Sequence, residues 1–584
     1  MTRTLLPAAG LGALLFASAC SSSAPVATTA PATPTRASVT PTVLADPSVA
    51  QRYAATITPD DLASHLYYFA SDGMEGRETG TRGQKLAAGY LSTVYRRLGL
   101  APRGTAPGTD PRAVERYHQP FAVYGQRLAA ATFTVVQNGR DTRTTTYGPG
   151  QQNTDAMIAF GGGARVEGPV TFAGYGIQEA GVRDDFAGLP TTTDPQWLLV
   201  LDGEPMQNGR ATLSADGTPT RWSREPFSKL RAALGTRRPI AGLLVVDGGS
   251  ADGRPFAARV AAASEATQRS IGNLSLNAPQ PGAPTRVTPP IVHVSEAFAN
   301  AILAPTGKTV ADVRAESQRG AVSFATPTRL RSEVTRSVFN ATTENVAAFL
   351  EGSDPALKNE VVVLSSHYDH IGVNPALDGD QINNGADDDG SGTVALLEIA
   401  EAFARAKADG VGPRRSILFL NVTGEEKGLL GSAYYADVEP LVPLENTVTN
   451  LNIDMIGRFD PTEPNRSENY VYVIGSNLIS RELDSLNTAV NVAIGSNVEL
   501  SQRFNSKDDP NQFYRRSDHW NFGKKGIPFI FYFTGTHEDY HGVGDEPHKI
   551  EYDRMARIAR LVFGTAWQVA NQDRRPAVSG TGFN

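Results

Sequence analysis

The sequence is short of several things, and each shortage removes a class of protein. It has one cysteine in 584 residues, Cys20. No internal disulfide can form, so stability must come from an apolar core and from any bound metal. It lacks a basic excess: 54 Lys and Arg stand against 61 Asp and Glu, a net charge of −7. No basic stripe runs along it, which argues against nucleic acid as the main partner. The one local basic run, Lys229 to Arg238, reads as a solvated helix face. The apolar stretch Leu5 to Phe16 is too short for a comfortable membrane span. There is no internal repeat.

Hydrophobic residues make up 40% of the chain and charged residues 20%, the balance of a globular protein. The length predicts more than one domain. Residues 1–20 read as an export signal: Arg3, the apolar run, then Ala17, Ser18 and Ala19 before Cys20. This resembles a bacterial lipoprotein signal, in which the cysteine becomes the lipidated N-terminus. Position 17 departs from the usual Leu, so ordinary signal cleavage stays open. The expectation is an exported protein of the bacterial cell envelope, held at the membrane by lipid on Cys20; the alternative is a periplasmic or secreted one. Residues 21–50, rich in Ser, Thr, Pro and Ala, read as a disordered tether, and 572–584 as a similar polar tail.

Folded sequence is expected from about Ile57. Leu86, Tyr90, Val94 and Leu98, with Ala87 and Leu91, follow helical spacing, and Gly99 ends the helix. From 125 to 335 short β-type runs are punctuated by Gly and Pro, without a His/Asp/Glu cluster. This reads as a β-rich module inserted into a domain formed by 51–124 and 336–571. From 336 on, strand-like and helix-like runs alternate. The fold class expected is α/β, a mixed, mostly parallel sheet with helices on both faces and an inserted β-rich domain.

The chemistry gathers around Val361 to Leu397. An apolar run ends in His367-Tyr368-Asp369, a Gly- and Asp-rich turn carries Asp387, Asp388 and Asp389, and a helical pattern follows. Strand, acidic loop and helix in that order suit a metal ion at the end of a parallel strand, with His nitrogen and Asp oxygen as donors. Asp369 can orient the imidazole of His367. An EF-hand fails on spacing, since Gly390 at loop position six puts Gly385 first and Leu396 twelfth. Further candidates also follow apolar runs: Glu425-Glu426, Asp454, and His541, with His537 and His548 as competitors. Each alone reads equally as a solvated turn or a hydrogen-bonded His. Their joint occurrence at strand ends favours a site.

Residues 57–120 and 336–571 resemble the di-zinc aminopeptidase family, peptidase family M28. The motifs are His367-Tyr368-Asp369, GADDDGSG at 385–392, the Gly424-Glu425-Glu426 turn, Asn452-Ile453-Asp454-Met455 and Asp539-Tyr540-His541. The inserted region, with GPVTFAGYGI at 168–177, resembles the protease-associated domain often carried within this family. The resemblance implies a zinc-exopeptidase fold and two zinc ions per chain. One would take His367 and Asp454, the other Glu426 and His541, with Asp387 bridging both and a cis Asp387–Asp388 bond beside it. It implies Glu425 as general base to water, Tyr514 as oxyanion stabiliser and peptides as substrates. A carboxypeptidase or dipeptidase on the same scaffold would need a basic pocket, and Arg515 and Arg516 keep that reading open. A single-zinc glutaminyl cyclase or a non-catalytic binding protein fits the full donor set less well.

Overall fold

The computed structural model describes residues 44–582 apart from 109, 163–164, 225–226, 250–252, 270–271, 280–288, 375–376, 378 and 463–467. Cys20, the signal and the tether up to 43 lie outside the described residues. The centre of the molecule is four parallel strands in the order Ser416–Val422, Val361–His367, Thr447–Ile453 and Phe529–Phe533. Antiparallel neighbours flank them, Ser323–Leu350 on one side and Tyr470–Ile474 on the other. Every residue of the four parallel strands is buried. Alternation along the strand explains this: Val362 and Leu364 enter one apolar cluster, Val361 and Val363 another on the opposite face. Helices cover both faces, so the sheet is the mixed, mostly parallel α/β sheet expected.

Local chemistry sets the helix ends. Pro59–Phe69 starts on Thr58, whose hydroxyl accepts the Asp61 N–H at 3.1 Å, and buries Leu62, Leu66 and Phe69 along one stripe. Arg82–Arg97 ends two residues before Gly99, which takes φ +72°. The folded chain begins earlier than its composition suggests. Pro47–Ala54 is a helix, and Tyr53 stacks on Trp567 of the C-terminal helix Tyr552–Asn571 with centroids 6.1 Å apart. The tail is docked as well: Ala577 O accepts from the Ser480 hydroxyl, and Ser579 N–H donates to Ile479 O. Composition missed both segments because distant partners hold them: Ala50, Tyr53 and Ala54 are buried and the Tyr53 hydroxyl donates to Asp409, while Arg415 donates to Gln572 O and Arg575 pairs with Glu360.

The region 125–335 is less purely β than its sequence implies. Its strands Val166–Ala173, Gln196–Leu201, Ile240–Val246 and Ile291–Val294 run parallel, and helices such as Glu296–Leu303 and Val310–Arg319 join its core around Trp197 and Phe298. No linker separates this core from the rest. The long strands His118–Gln137 and Ser323–Leu350 pair antiparallel from His118↔Val346 to Gln137↔Thr328, and both positions where the composition changes fall inside that ribbon.

Lys229 is not on a solvated face. It is 5% exposed, and its ammonium donates to the carbonyls of Tyr175, Leu201 and Gly203. Burial drives its pKa down to about 8, against the pull of Asp202, Asp185 and Glu204. The folded state therefore binds fewer protons than the unfolded one between about pH 8 and 10.5, and this group's contribution to stability rises with pH across that window. Urea unfolding of wild type and Lys229→Met at pH 7.5 and 10.5 should show the wild type gaining on the variant by up to ~3 kcal/mol at the higher pH.

Candidate metal centre

The four parallel strands deliver their chemistry at their carboxyl ends, where open α/β sheets place sites. His367 is the last residue of Val361–His367, and Asp454 directly follows Thr447–Ile453. Glu425 and Glu426 lie in the turn after Ser416–Val422, and His537 and His541 in the loop after Phe529–Phe533. The loop Gly385–Ser391 crosses these ends before the helix Gly392–Ala408 begins.

Two sets of donors meet on one carboxylate, that of Asp388. Its Oδ1 lies 3.2 Å from His367 Nε2, which is itself 3.5 Å from Asp454 Oδ1. Its Oδ2 lies 3.2 Å from His541 Nε2 and 3.8 Å from His370 Nδ1. Glu426 completes the second set, with Oε2 3.1 Å from His541 Nε2 and Oε1 2.8 Å from His370 Nδ1. Donors bound tetrahedrally to one zinc at about 2.0–2.1 Å stand about 3.3 Å apart. The spacings therefore fit two neighbouring ions, one among His367, Asp454 and Asp388, the other among Asp388, Glu426, His370 and His541. Both ring nitrogens of His370 and Oε1 of Glu426 are buried without a hydrogen-bond partner, although two of these atoms nearly touch. Buried polar atoms left unpaired are costly, and a cation between them removes the cost.

The structure shifts the expected register by one residue. Asp387 is not at the crossing: its Oδ1 accepts the Gly457 N–H at 2.6 Å, and its Oδ2 faces His537 at 3.4 Å. Asp388 sits there instead, and the cis bond is Asp388–Asp389 rather than Asp387–Asp388. Asp389 has a third task, accepting from the N–H groups of Gly392, Met455 and His367. Asp545 fixes the register by accepting the N–H groups of Asp387 and Asp388. Gly385 has φ +58°, and a Cβ there would lie 2.5 Å from the His370 ring, so only glycine fits.

Two other expectations need correction. Asp369 does not orient His367 through its carboxylate, which stands 3.8 Å away; the carbonyl of Asp369 lies 3.1 Å from His367 Nδ1. The carboxylate instead accepts from Thr79 and from the Glu425 N–H, tying the glutamate turn to the strand end. Tyr514 is buried, and its hydroxyl donates to Gln512. It lines neither described cavity that reaches the carboxylates, whereas Tyr540 lines both and stacks on His541 at 3.9 Å.

Sequence reasoning missed His370 and Arg77. His370 stands in the same HYDH run, and its type and spacing were signal enough. Arg77 had no such signal. It is fully buried and donates to the carbonyls of Tyr368, Phe69, Asn384 and Gly385, holding the metal loop against the strand end. Burial lowers its pKa to about 10, opposed by Asp545, Asp388, Asp369 and Asp389, so it stays a cation.

Environment separates the two adjacent glutamates. Burial pushes the Glu425 carboxyl well up, helped by Glu426 and Asp454 and opposed by His367. Glu426 falls to about 2: burial and Asp388 raise it, but His370 and His541 win. Such divergence marks a proton carrier beside a committed anion. Glu425 also lines both cavities at the site. One is a cleft of about 530 Å³ that includes Glu426, Arg515, Arg516, Trp520 and Lys524. The other is a small pocket walled by Met455, Phe513, Phe531 and Phe533 beside His367 and Asp454.

The mixed α/β sheet thus carries, at its strand ends, a His/carboxylate donor set that could hold metal. Residues 345–566, which contain every donor named above, match the sequence profile of Peptidase family M28. A probable zinc metalloprotease of Pyrenophora teres f. teres is 29% identical over 302 residues, 45% of this chain and 59% of that protein. The aminopeptidase YwaD of Bacillus subtilis is 27% identical over 225 residues, 37% of this chain and 43% of that one. The chain thus spans about half the length of these curated relatives. Among solved structures, the zinc aminopeptidase BSAP of Bacillus subtilis aligns with a TM-score of 0.49 at 17% identity, over 90% of this chain and 99% of that one.

The register is directly testable. Asp388→Asn should lower bound metal at both sites, while Asp387→Asn should keep metal content near wild type, both read by elemental analysis of purified protein. The reverse pattern would restore Asp387 to the crossing. Arg77→Met leaves four carbonyls without their donor and should cost about 3 kcal/mol or more in urea unfolding. Arg77→Lys should recover less than half of that, since an ammonium cannot span four acceptors as the planar fork does.

Proposed function

We propose that the protein is a zinc-dependent exopeptidase, an aminopeptidase that hydrolyses the first bond of a peptide with a free N-terminus. One observation carries the reading: two donor sets share the two oxygens of Asp388, and an uncommitted carboxylate, Glu425, opens onto the same cavities. The match to Peptidase family M28 and the resemblance to zinc metalloproteases and aminopeptidases support it. His367, Asp454 and Asp388 would hold one zinc, and Asp388, Glu426, His370 and His541 the other. When bound, the pair supplies Lewis acidity that polarises the scissile carbonyl and acidifies water.

The chain's own residues do the rest. Glu425 accepts the proton of the attacking water and passes it to the leaving amine, a role open to a carboxyl that lines both cavities and belongs to neither donor set. Met455, Phe513, Phe531 and Phe533 make the wall beside His367 and Asp454 apolar. Tyr540, not Tyr514, borders the reacting end. Burial and the nearby Asp388 and Glu426 raise its pKa, so its hydroxyl stays protonated and can donate to an oxyanion. The region 125–335 would act as the protease-associated domain that its sequence resembles.

Purified protein should contain close to two zinc ions per chain and lose activity with a chelator. Glu425→Gln should keep both ions while kcat falls by ~10²–10⁴. Glu426→Gln should lose metal. If Glu425→Gln keeps most of the wild-type kcat, the base lies elsewhere.

A further inference from the structure

Two cations in the cleft have no role in the chemistry above. Arg515 and Arg516 line the 530 Å³ cleft together with Glu425 and Glu426, and Arg516 also borders the small pocket beside His367 and Asp454. Among the described residues neither is in ion-pair range of a carboxylate. Other arginines, such as Arg414, Arg415, Arg329, Arg331 and Arg458, do meet acids. Nor are the two arginines loose. Arg515 lies over the rings of Tyr514 and Trp520, 4.8 and 5.8 Å from their centroids. Arg516 lies 4.9 Å over Phe513 and donates to the Tyr540 hydroxyl at 3.2 Å. Stacking fixes a guanidinium without neutralising it, and its planar donor fork matches a carboxylate. Both are exposed to the cleft.

The two cavities meet at Glu425, Arg516 and Tyr540, which line both. The pocket beside His367 and Asp454 measures only about 30 Å³, against about 530 Å³ for the cleft, so the cleft is the one that can receive the leaving part of the substrate. We propose that Arg515 and Arg516 form a carboxylate-binding subsite one residue beyond the scissile bond. The substrates favoured are then short peptides whose leaving residue carries a negative charge, as the α-carboxylate of a dipeptide or as an acidic side chain. This rests on the exopeptidase reading and adds the substrate class to it.

The test uses zinc-loaded protein and two substrate pairs, Leu-Ala against Leu-Ala-amide and Leu-Asp-amide against Leu-Asn-amide. Turnover of leucine anilide by the wild type checks the exopeptidase reading separately. The inference itself is read by calorimetric binding of the same pairs to Glu425→Gln protein, which needs no turnover. The charged member of at least one pair should bind about tenfold or more tighter. The pair that discriminates identifies the carboxylate: the first pair the α-carboxylate, the second the side chain. In the Glu425→Gln background, adding Arg515→Gln and Arg516→Gln together should bring the ratio near one, and Arg516→Lys, which keeps a charge but not the fork, should leave it between. Equal affinity within both pairs overturns the inference, as does failure of all four peptides to bind. A preference that survives the double substitution in folded, zinc-loaded protein also overturns it.

Discussion

Everything at this site depends on one buried carboxylate facing two ways. Asp388 offers Oδ1 to the histidine and aspartate of one strand pair and Oδ2 to the histidines and glutamate on the other side. Around it Asp369, Asp387, Asp389, Glu426 and Asp545 are all buried or nearly so. So many acids held together in low dielectric repel strongly, and only cations and aimed N–H groups make the arrangement tolerable. Arg77 supplies one fixed cation, backbone N–H groups satisfy Asp389, and Asp387 divides its oxygens between the Gly457 N–H and His537. The share left over falls on Asp388, Asp454 and Glu426, whose oxygens face histidines rather than backbone. Metal binding at such a place is folding energy as well as function.

The fold explains why these groups arrive together. Parallel strands end on the same edge of the sheet, so residues more than 170 positions apart, such as His367 and His541, come within reach of the same carboxylate. The region 125–335 joins through a continuous antiparallel ribbon rather than a linker, so its core is coupled to the core that carries the donor set by strand pairing.

What the sequence made legible follows from that geometry. A strand that is apolar throughout and stops at His367, or at Asp454, announces a strand end, and strand ends are where this architecture keeps its chemistry. Three neighbouring aspartates announce nothing about which of them turns inward. Asp387, Asp388 and Asp389 are chemically identical, and their division of labour is set by Asp545, Gly457 and Gly392, distant in sequence or unremarkable in it. Arg77 was illegible for the same reason: its acceptors are carbonyls, which every residue has. Lys229 looked like one cation among several in a basic run, and only the three carbonyls around it make it an interior residue.

The two adjacent glutamates carry the argument furthest. Sequence gives them one identity, and the turn gives them opposite surroundings. Glu426 faces two histidines and is held as an anion. Burial, with Glu426 and Asp454 nearby and against the pull of His367, drives the Glu425 carboxyl the other way. The proposed hydrolysis would use that split, because a carboxylate committed as a ligand cannot also carry a proton. The tie from the Glu425 N–H to the Asp369 carboxylate, itself held by Thr79, fixes which glutamate takes which side. The different surroundings of these two glutamates are thus decided by backbone orientation at one turn, several bonds away from their carboxyl groups.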